Sequence, residues 1–240
     1  MMAITQIRKT SRKYHKWLMT LLALQFVVWS VTGTYMVFFD IHYIHGDTLV
    51  NNRQDKIDPQ QLTYPLHNVL QRYPKAKDIS LGLYLEQVVY RFSLGPDNIM
   101  LDARTGQRIA ALSRQQAAVA AKFYYAGNGE VASIELLTEH APFELNPKAL
   151  PAWRVNFTDL GDPAIYVSAE TGLLVAKRHN FWRLFDWMFR FHVMDHNDGK
   201  DIDNLLLFLC SVLGLISTMF GLVLLYFSLS RPKRALRAKP

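Results

Sequence analysis

The chain of 240 residues has one cysteine, Cys210, and no acidic residue near either end. A single cysteine excludes an intramolecular disulfide, so every folded domain has to be stable through burial alone. The sequence also lacks a nucleophile motif and a glycine-rich phosphate loop, because the stretch 126–129 is long enough only for a turn. These absences give no support to nucleotide-dependent or nucleophilic catalysis.

Charge is absent from two long stretches, 17–39 and 205–230. Each is long enough to cross a hydrocarbon core of about 30 Å at about 1.5 Å per helical residue. Soluble core helices rarely stay uncharged over that length. The sequence therefore predicts two transmembrane helices in contact with a lipid bilayer.

The two ends of the chain are basic, while all 20 Asp and Glu residues lie between Asp40 and Asp203. Lys and Arg flank both apolar stretches on the same side, which places both termini in the cytoplasm of a bacterial inner-membrane protein and the central domain in the periplasm. The net charge of +7 is then a topology signal, and we expect no nucleic-acid partner.

These features divide the chain into six predicted segments. They are a cytoplasmic basic N-terminus (1–16), transmembrane helix 1 (17–39), a periplasmic domain (40–180), an amphipathic interfacial helix with an acidic loop (181–203), transmembrane helix 2 (204–230) and a cytoplasmic basic tail (231–240).

The periplasmic domain contains an internal repeat. Segments 101–110 and 167–176 share the pattern apolar-x-Ala-charged-Thr-Gly-x-x-apolar-Ala, and Thr-Gly between two apolar runs indicates a turn. A helical stretch precedes each copy, from Asp58-Pro59 to about Tyr73 and from Arg114 to Tyr125. Strand-like runs follow at 78–84, 87–94 and 98–103, and again at 130–138, 152–158 and 164–169. The prediction is an α+β fold of two helix-plus-antiparallel-sheet repeats.

Five of the eight histidines lie near the predicted membrane edges, and His15 is the first. On a helix, Arg8 and Arg12 fall on its face one and two turns earlier, and Lys16 follows it. This arrangement suits a b-type haem, with an imidazole for the iron and cations for the propionates. A snorkelling interfacial histidine among basic neighbours explains the same local pattern.

His192 ends the aromatic stretch 181–192. Phe181, Phe185, Met188 and His192 recur at helical spacing, with Arg183 on the opposite side. An imidazole on the apolar face of such a helix needs a partner, which haem iron or another metal could supply.

Direct metal chelation is an alternative at this edge. His196 lies one turn after His192, and nearby acids such as Asp195 and Asp198 supply the oxygen ligands that ferric iron prefers. His42 and His45 have a similar but weaker spacing. A solvated acidic loop explains the same carboxylates.

The order of these motifs resembles the PepSY-associated transmembrane family over nearly the whole chain. The elements are Arg12-x-x-His15-Lys-Trp-Leu18 closed by Thr32-Gly33, the twin hairpins as PepSY repeats, and Trp182-x-x-Phe-Asp186 with Phe191-His192 before a helix containing Gly214 and Gly221. The family usually has Leu where this chain has Phe191.

The two-span size resembles the VciB-type ferric reductases of that family. The resemblance implies haem b as cofactor, His15 and His192 as axial ligands, an unidentified cytoplasmic electron donor, and ferric iron or a ferric chelate as acceptor, in support of ferrous iron uptake. The two histidines lie at opposite membrane faces, so they cannot ligate one iron. Each haem then needs a second ligand from another chain, which predicts a homodimer.

A stripe of small residues at helical spacing, Cys210, Gly214, Ser217 and Gly221, permits close helix approach. It fits either a dimer contact or the packing of the two spans within one chain. Two other functions also fit the sequence: a non-enzymatic, membrane-anchored PepSY binding or regulatory module, and a haem-free metal-binding accessory protein.

Overall fold

The computed structural model describes residues 2–51, 56–195 and 201–230. The chain forms two compact units, one from Met1–Phe39 with Phe185–Pro240 and one from Asp40–Leu184. We call them the helical unit and the central unit. The division falls within one helix, close to the predicted end of the central domain at residue 180.

Two long apolar helices form most of the helical unit. Helix α1 spans Met2–Phe38 and helix α6 spans Leu205–Leu229, which begins where the Asn204 side chain accepts a hydrogen bond from the Leu207 N–H. Both are long and apolar enough to cross a membrane. Helix α1 starts earlier than the apolar stretch at residue 17, because residues 2–16 contain no Pro or Gly to interrupt it.

Helix α1 packs through one regular stripe, which we call the α1 seam. Its positions alternate at spacings of three and four residues, and every one of them is buried or half-buried: 8, 11, 15, 18, 22, 25, 29, 32 and 36. The same spacing recurs in α6 at 207, 210, 214, 217, 221 and 224. This is the heptad pattern of paired helices.

The small-residue stripe of α6 lies in this helix pair. A Cβ added at Gly214 would lie 3.6 Å from Cζ of Phe26, Ser217 is fully buried, and Tyr14 stacks on Phe220 with ring centroids 5.6 Å apart. Of the two interpretations of the stripe, packing within one chain is therefore the one that the structure shows.

The faces turned away from the seam are apolar and exposed. Leu24 is 78% exposed and Leu205 is 71% exposed, and similar side chains continue along both helices. Apolar surface of this extent needs a non-aqueous environment or a partner.

The central unit consists of two four-stranded antiparallel sheets, each with a short helix before it. In chain order the elements are α2 (Ile41–Ile44), α3 (Leu66–Arg72), β1 (Lys77–Tyr84), β2 (Gln87–Leu94), β3 (Asp97–Asp102), β4 (Arg108–Ile109), α4 (Arg114–Tyr124), β5 (Val131–Leu137), β6 (Ala152–Phe157), β7 (Ala164–Ser168), β8 (Leu174–Arg178) and α5 (Asn180–Val193). Each sheet keeps its strands in sequence order, so the predicted α+β class is confirmed at this level.

The two Thr-Gly segments form equivalent hairpins, as predicted. Each turn opens with a side-chain oxygen, from Asp102 in the first and Ser168 in the second, that accepts the backbone N–H groups two and three residues later. Each closes at a glycine, Gly106 or Gly172, with φ of 70° and 66°. Glycine takes this left-handed conformation without the steric cost that a Cβ imposes.

The prediction of one continuous helix from Asp58 to about Tyr73 is wrong. It is divided into a 3₁₀ turn at Pro59–Gln61 and α3 at Leu66–Arg72. Pro65 lies between them in an extended conformation, and a proline both lacks the N–H that a helix interior needs and disfavours helical geometry in the residue before it. The other predicted strands and helix α4, which has a Ser113–Gln116 capping box, agree within two residues.

Helix α5 is anchored to the second sheet by a buried carboxylate. Glu144 is 3% exposed and accepts two hydrogen bonds from the Arg183 guanidinium at 2.7 and 3.1 Å. The Tyr166 hydroxyl also donates to Glu144, and Arg154 lies 3.8 Å away. Burial raises the pKa of Glu144, but these hydrogen bonds and charges outweigh it and leave the pKa below its usual value.

Candidate functional site

His15 lies in the α1 seam, half-buried against α6. Its Nδ1 is 2.9 Å from the main-chain oxygen of Ser217, which can only accept, so Nδ1 carries the proton. A Cβ added at Gly221 would lie 3.1 Å from Cε1 of the imidazole. The missing side chain at Gly221 thus lets the ring lie directly against the backbone of α6.

His192 is held in the same way, at the end of α5. Its Nδ1 is 2.9 Å from the Thr32 hydroxyl, and that hydroxyl donates its own proton to the Val28 carbonyl at 2.7 Å. While the hydroxyl proton is donated to the Val28 carbonyl, Thr32 accepts from His192, and in this arrangement Nδ1 again carries the proton. Trp29 donates to the His192 carbonyl at 2.7 Å and fixes the end of the helix beside it.

With Nδ1 as the donor, the neutral form of either imidazole has its lone pair on Nε2. Within the described residues, no hydrogen bond to Nε2 of either ring is formed. A histidine whose Nδ1–H is bound and whose Nε2 carries the lone pair has the arrangement usual for a metal-ligating histidine. Gly33 lies beside His192 as Gly221 lies beside His15. A Cβ added at Gly33 would be 3.6 Å from Cε1 of His192.

His179 shows what a structural histidine looks like in the same chain. It is 2% exposed, its Nε2 donates to the Tyr43 carbonyl at 2.8 Å, and its Nδ1 accepts from the Trp182 N–H at 3.3 Å. Burial lowers the pKa of His179, which favours the neutral ring. Both of its nitrogens are used by the fold, as expected for an ordinary core histidine, whereas His15 and His192 each use one.

His15 and His192 belong to two separate places in the helical unit. Thr32, which holds His192, lies 17 residues after His15 on α1, and this corresponds to about 26 Å along a helix axis. A single iron cannot bridge that distance. The structure thus contains two candidate ligand positions, one at each end of the α1 seam.

The predicted propionate contacts are brought together in part. Arg8 and Arg12 line one cavity of about 240 Å³ with Leu224, Phe227 and Ser228 of α6, two turns or less before His15 on α1. Lys16 is exposed and does not line this cavity. Two of the three predicted cations therefore share a surface with apolar and aromatic side chains near His15.

The direct-chelation candidates are distributed differently. His42 pairs with Asp47 at 3.0 Å, and Asp47 also accepts from Lys177 at 2.7 Å. The hydrogen bond from Lys177, followed by that from His42, lowers the pKa of Asp47. His45 is exposed, and its backbone closes α2.

Asp195 is 5% exposed, and one of its carboxylate oxygens accepts the Asp201 N–H at 3.0 Å. His196 and Asp198 lie outside the described residues. Within the described ranges, no group of three or more His, Cys, Asp or Glu side chains is arranged to hold a metal ion.

The partners of the two histidines were not predicted from the sequence, although Thr32, Gly33, Ser217 and Gly221 all belong to patterns noted there. The signal that could have assigned them is the heptad spacing, which places Thr32 on the same stripe as His15. Comparisons with protein-family models, curated proteins and solved structures found no match to this chain.

Proposed function

We propose that this chain is a two-span, haem b-containing inner-membrane ferric reductase that passes electrons from a cytoplasmic donor to ferric iron or a ferric chelate in the periplasm. One observation carries the proposal: among the described residues, the rings of His15 and His192, at two separate places along one helix seam, form hydrogen bonds through Nδ1 only. A third histidine, His179, uses both ring nitrogens.

The side-chain chemistry suits haem binding, with an imidazole at each position and two arginines near His15. Nε2 of His15 and of His192 would be the protein ligands, and Arg8 and Arg12 would bind the propionates of the group near His15. Haem iron supplies reversible one-electron oxidation and reduction. The hydrogen bonds at Nδ1 fix the ring orientation and increase the basicity of Nε2.

A homodimer completes this proposal. Each end of the seam supplies one imidazole, and the same histidine of a twofold-related copy would supply the second. The small-residue stripe of α6 already packs in the helix pair of one chain. The contact would therefore use exposed apolar side chains at the edges of this pair, next to the half-buried histidines.

The absorbance of the purified protein tests the function directly. The full chain, extracted in a non-ionic detergent, should be red, with a Soret band that shifts on reduction with dithionite and returns when ferric citrate is added. A colourless preparation, from cells supplied with a haem precursor, would contradict the proposal and favour the binding-module alternative.

Membrane topology is a second expectation. The basic ends predict cytoplasmic termini, with residues from about 40 to 203 in the periplasm. Alkaline phosphatase fused after residue 240 should be inactive, and the same enzyme inserted in the β1–β2 turn should be active. Activity of the C-terminal fusion would contradict the proposed orientation.

Thr32→Val should weaken haem binding at His192 while preserving the helix. Valine has the shape of threonine but cannot accept the Nδ1–H, and losing such a contact typically costs about 10-fold in metal affinity. Thr32→Ser keeps the hydroxyl and should restore affinity and midpoint potential. Haem titration measures the affinity of both variants, and redox titration measures their midpoint potential. Equal affinity and potential in Thr32→Val and the unmodified chain would show that Thr32 does not orient His192.

A further inference from the structure

The central unit contains a buried arginine that has no carboxylate partner within the described residues. Arg91, in β2, is 5% exposed. Its Nε donates to the Thr171 carbonyl at 2.9 Å and its Nη2 to the Leu83 carbonyl at 2.8 Å. Burial lowers the pKa of its guanidinium, and no acidic side chain of the described residues is among the groups that oppose this shift.

The second repeat shows what a paired arginine looks like at the same position. Arg91 faces Met100 across β2 and β3, and Arg154 faces Tyr166 across β6 and β7. The two arginines are therefore equivalent in the repeat. Arg154 lies 3.8 Å from the buried carboxylate of Glu144, whereas no carboxylate among the described residues of the first repeat forms an ion pair with Arg91.

Arg91 also lines a cleft of the central unit. Arg91 lines a cavity of about 280 Å³ between β1 to β3 and the β7–β8 turn, and its Nη1 donates to no described residue. A Cβ at Gly82 would lie 2.8 Å from Nη1, so the glycine leaves room for this group. Hydroxyl groups of Ser80, Ser93 and Ser168 belong to the same lining.

Two carboxylates also line the cleft, but they do not neutralise Arg91. Glu170 is half-buried and accepts two hydrogen bonds from Asn98 through one oxygen. Asp78 is exposed. Lys148 adds a second cation to the lining, and Nη1 of Arg91 keeps N–H groups that no described residue accepts.

We infer that this cleft binds an oxyanion, a carboxylate or phosphate group, on Nη1 of Arg91. A guanidinium binds planar oxyanions through paired hydrogen bonds, and an anion here would give the buried cation the counter-charge that Glu144 gives to Arg154. The site lies in the central unit and does not depend on haem.

Thermal unfolding of the full chain in non-ionic detergent tests the inference. Citrate, acetate and phosphate are each titrated against sodium chloride at equal ionic strength. A saturable rise in the unfolding temperature with citrate and acetate identifies a carboxylate ligand, and a rise with phosphate alone identifies a phosphate ligand. If none of the three exceeds sodium chloride, the inference is wrong.

Variants distinguish an anion-binding role of Arg91 from a purely structural role. Arg91→Gln should weaken the response about 10-fold or more, because it removes a charge-assisted hydrogen bond. Arg114→Gln, an exposed substitution of equal charge on α4, should leave it unchanged. If Arg91→Gln does not fold, Glu170→Gln still decides, because it removes a negative charge from the rim and should tighten binding by about two- to five-fold. Unchanged affinity in Glu170→Gln would overturn the inference.

Discussion

His192→Ala is expected to abolish ferric reduction on the periplasmic side while the protein still inserts and folds. The side chain contributes one hydrogen bond, to Thr32, whereas the carbonyl that Trp29 binds belongs to the backbone and is kept. Loss of the axial nitrogen, in contrast, removes the group that would hold the iron. We expect a loss of activity of at least about 100-fold, which is beyond what a single hydrogen bond explains.

Reductase activity, haem content and folded yield should be measured for each variant. His140→Ala is the matched control, because His140 is exposed in the central unit, and it should retain full activity. His196→Ala should lose less than His192→Ala. Comparable losses in these two variants would favour direct chelation by both imidazoles, and full activity of His192→Ala would contradict both explanations.

Glu144→Gln is expected to lower the free energy of unfolding of the central unit by about 3 kcal/mol. This value is at the low end for breaking a buried ion pair, because 19% of the Arg183 side chain is exposed. The amide keeps the size of the carboxylate but leaves the guanidinium without a counter-charge. For a unit of this size the midpoint should fall by roughly 10 °C.

The exposed pair of Lys122 and Glu130, 2.8 Å apart, supplies the control. Glu130→Gln should leave the unfolding midpoint within experimental error, because water screens an exposed pair. A drop of similar size in both variants would mean that the effect of Glu144 comes from the loss of any carboxylate rather than from burial.

The pH dependence of Glu144→Gln gives an independent check. Because the folded pKa of Glu144 lies below its unfolded value, the ionised carboxylate stabilises the fold above the unfolded pKa of about 4.3. That stabilisation is lost as the pH falls through the folded pKa. The difference in unfolding midpoint between the two proteins should thus be constant near neutral pH and shrink below about pH 5.

Patterns with a short physical range were predictable from the sequence. The Thr-Gly turns require a residue that tolerates positive φ, and Gly106 and Gly172 satisfy that requirement locally. The two uncharged stretches predicted the two long apolar helices from local composition in the same way. Pro65 is a comparable local signal. The prediction of one helix over 58–73 was wrong because a proline interrupts a helix at this position.

Contacts that depend on tertiary packing were not predictable. Glu144 lies in an irregular stretch between β5 and β6, so no periodicity linked it to Arg183. The partner of His15 is a main-chain oxygen of Ser217, which every residue type possesses. Residue identity alone therefore could not indicate it. The same holds for Arg91, which lacks a carboxylate partner among the described residues while the equivalent Arg154 has Glu144.

The regular spacing of the α1 seam restricts how the length of this helix can change. One residue inserted between His15 and Thr32 would turn the later part of α1 by about 100° about its axis, which would take Thr32 away from His192. Seven residues would restore the rotational phase, since a seam of period 3.5 drifts only about 20° per heptad and left-handed winding absorbs that drift. Chains that keep both histidines in this arrangement should therefore differ in length between them by whole heptads, in steps of about 10 Å.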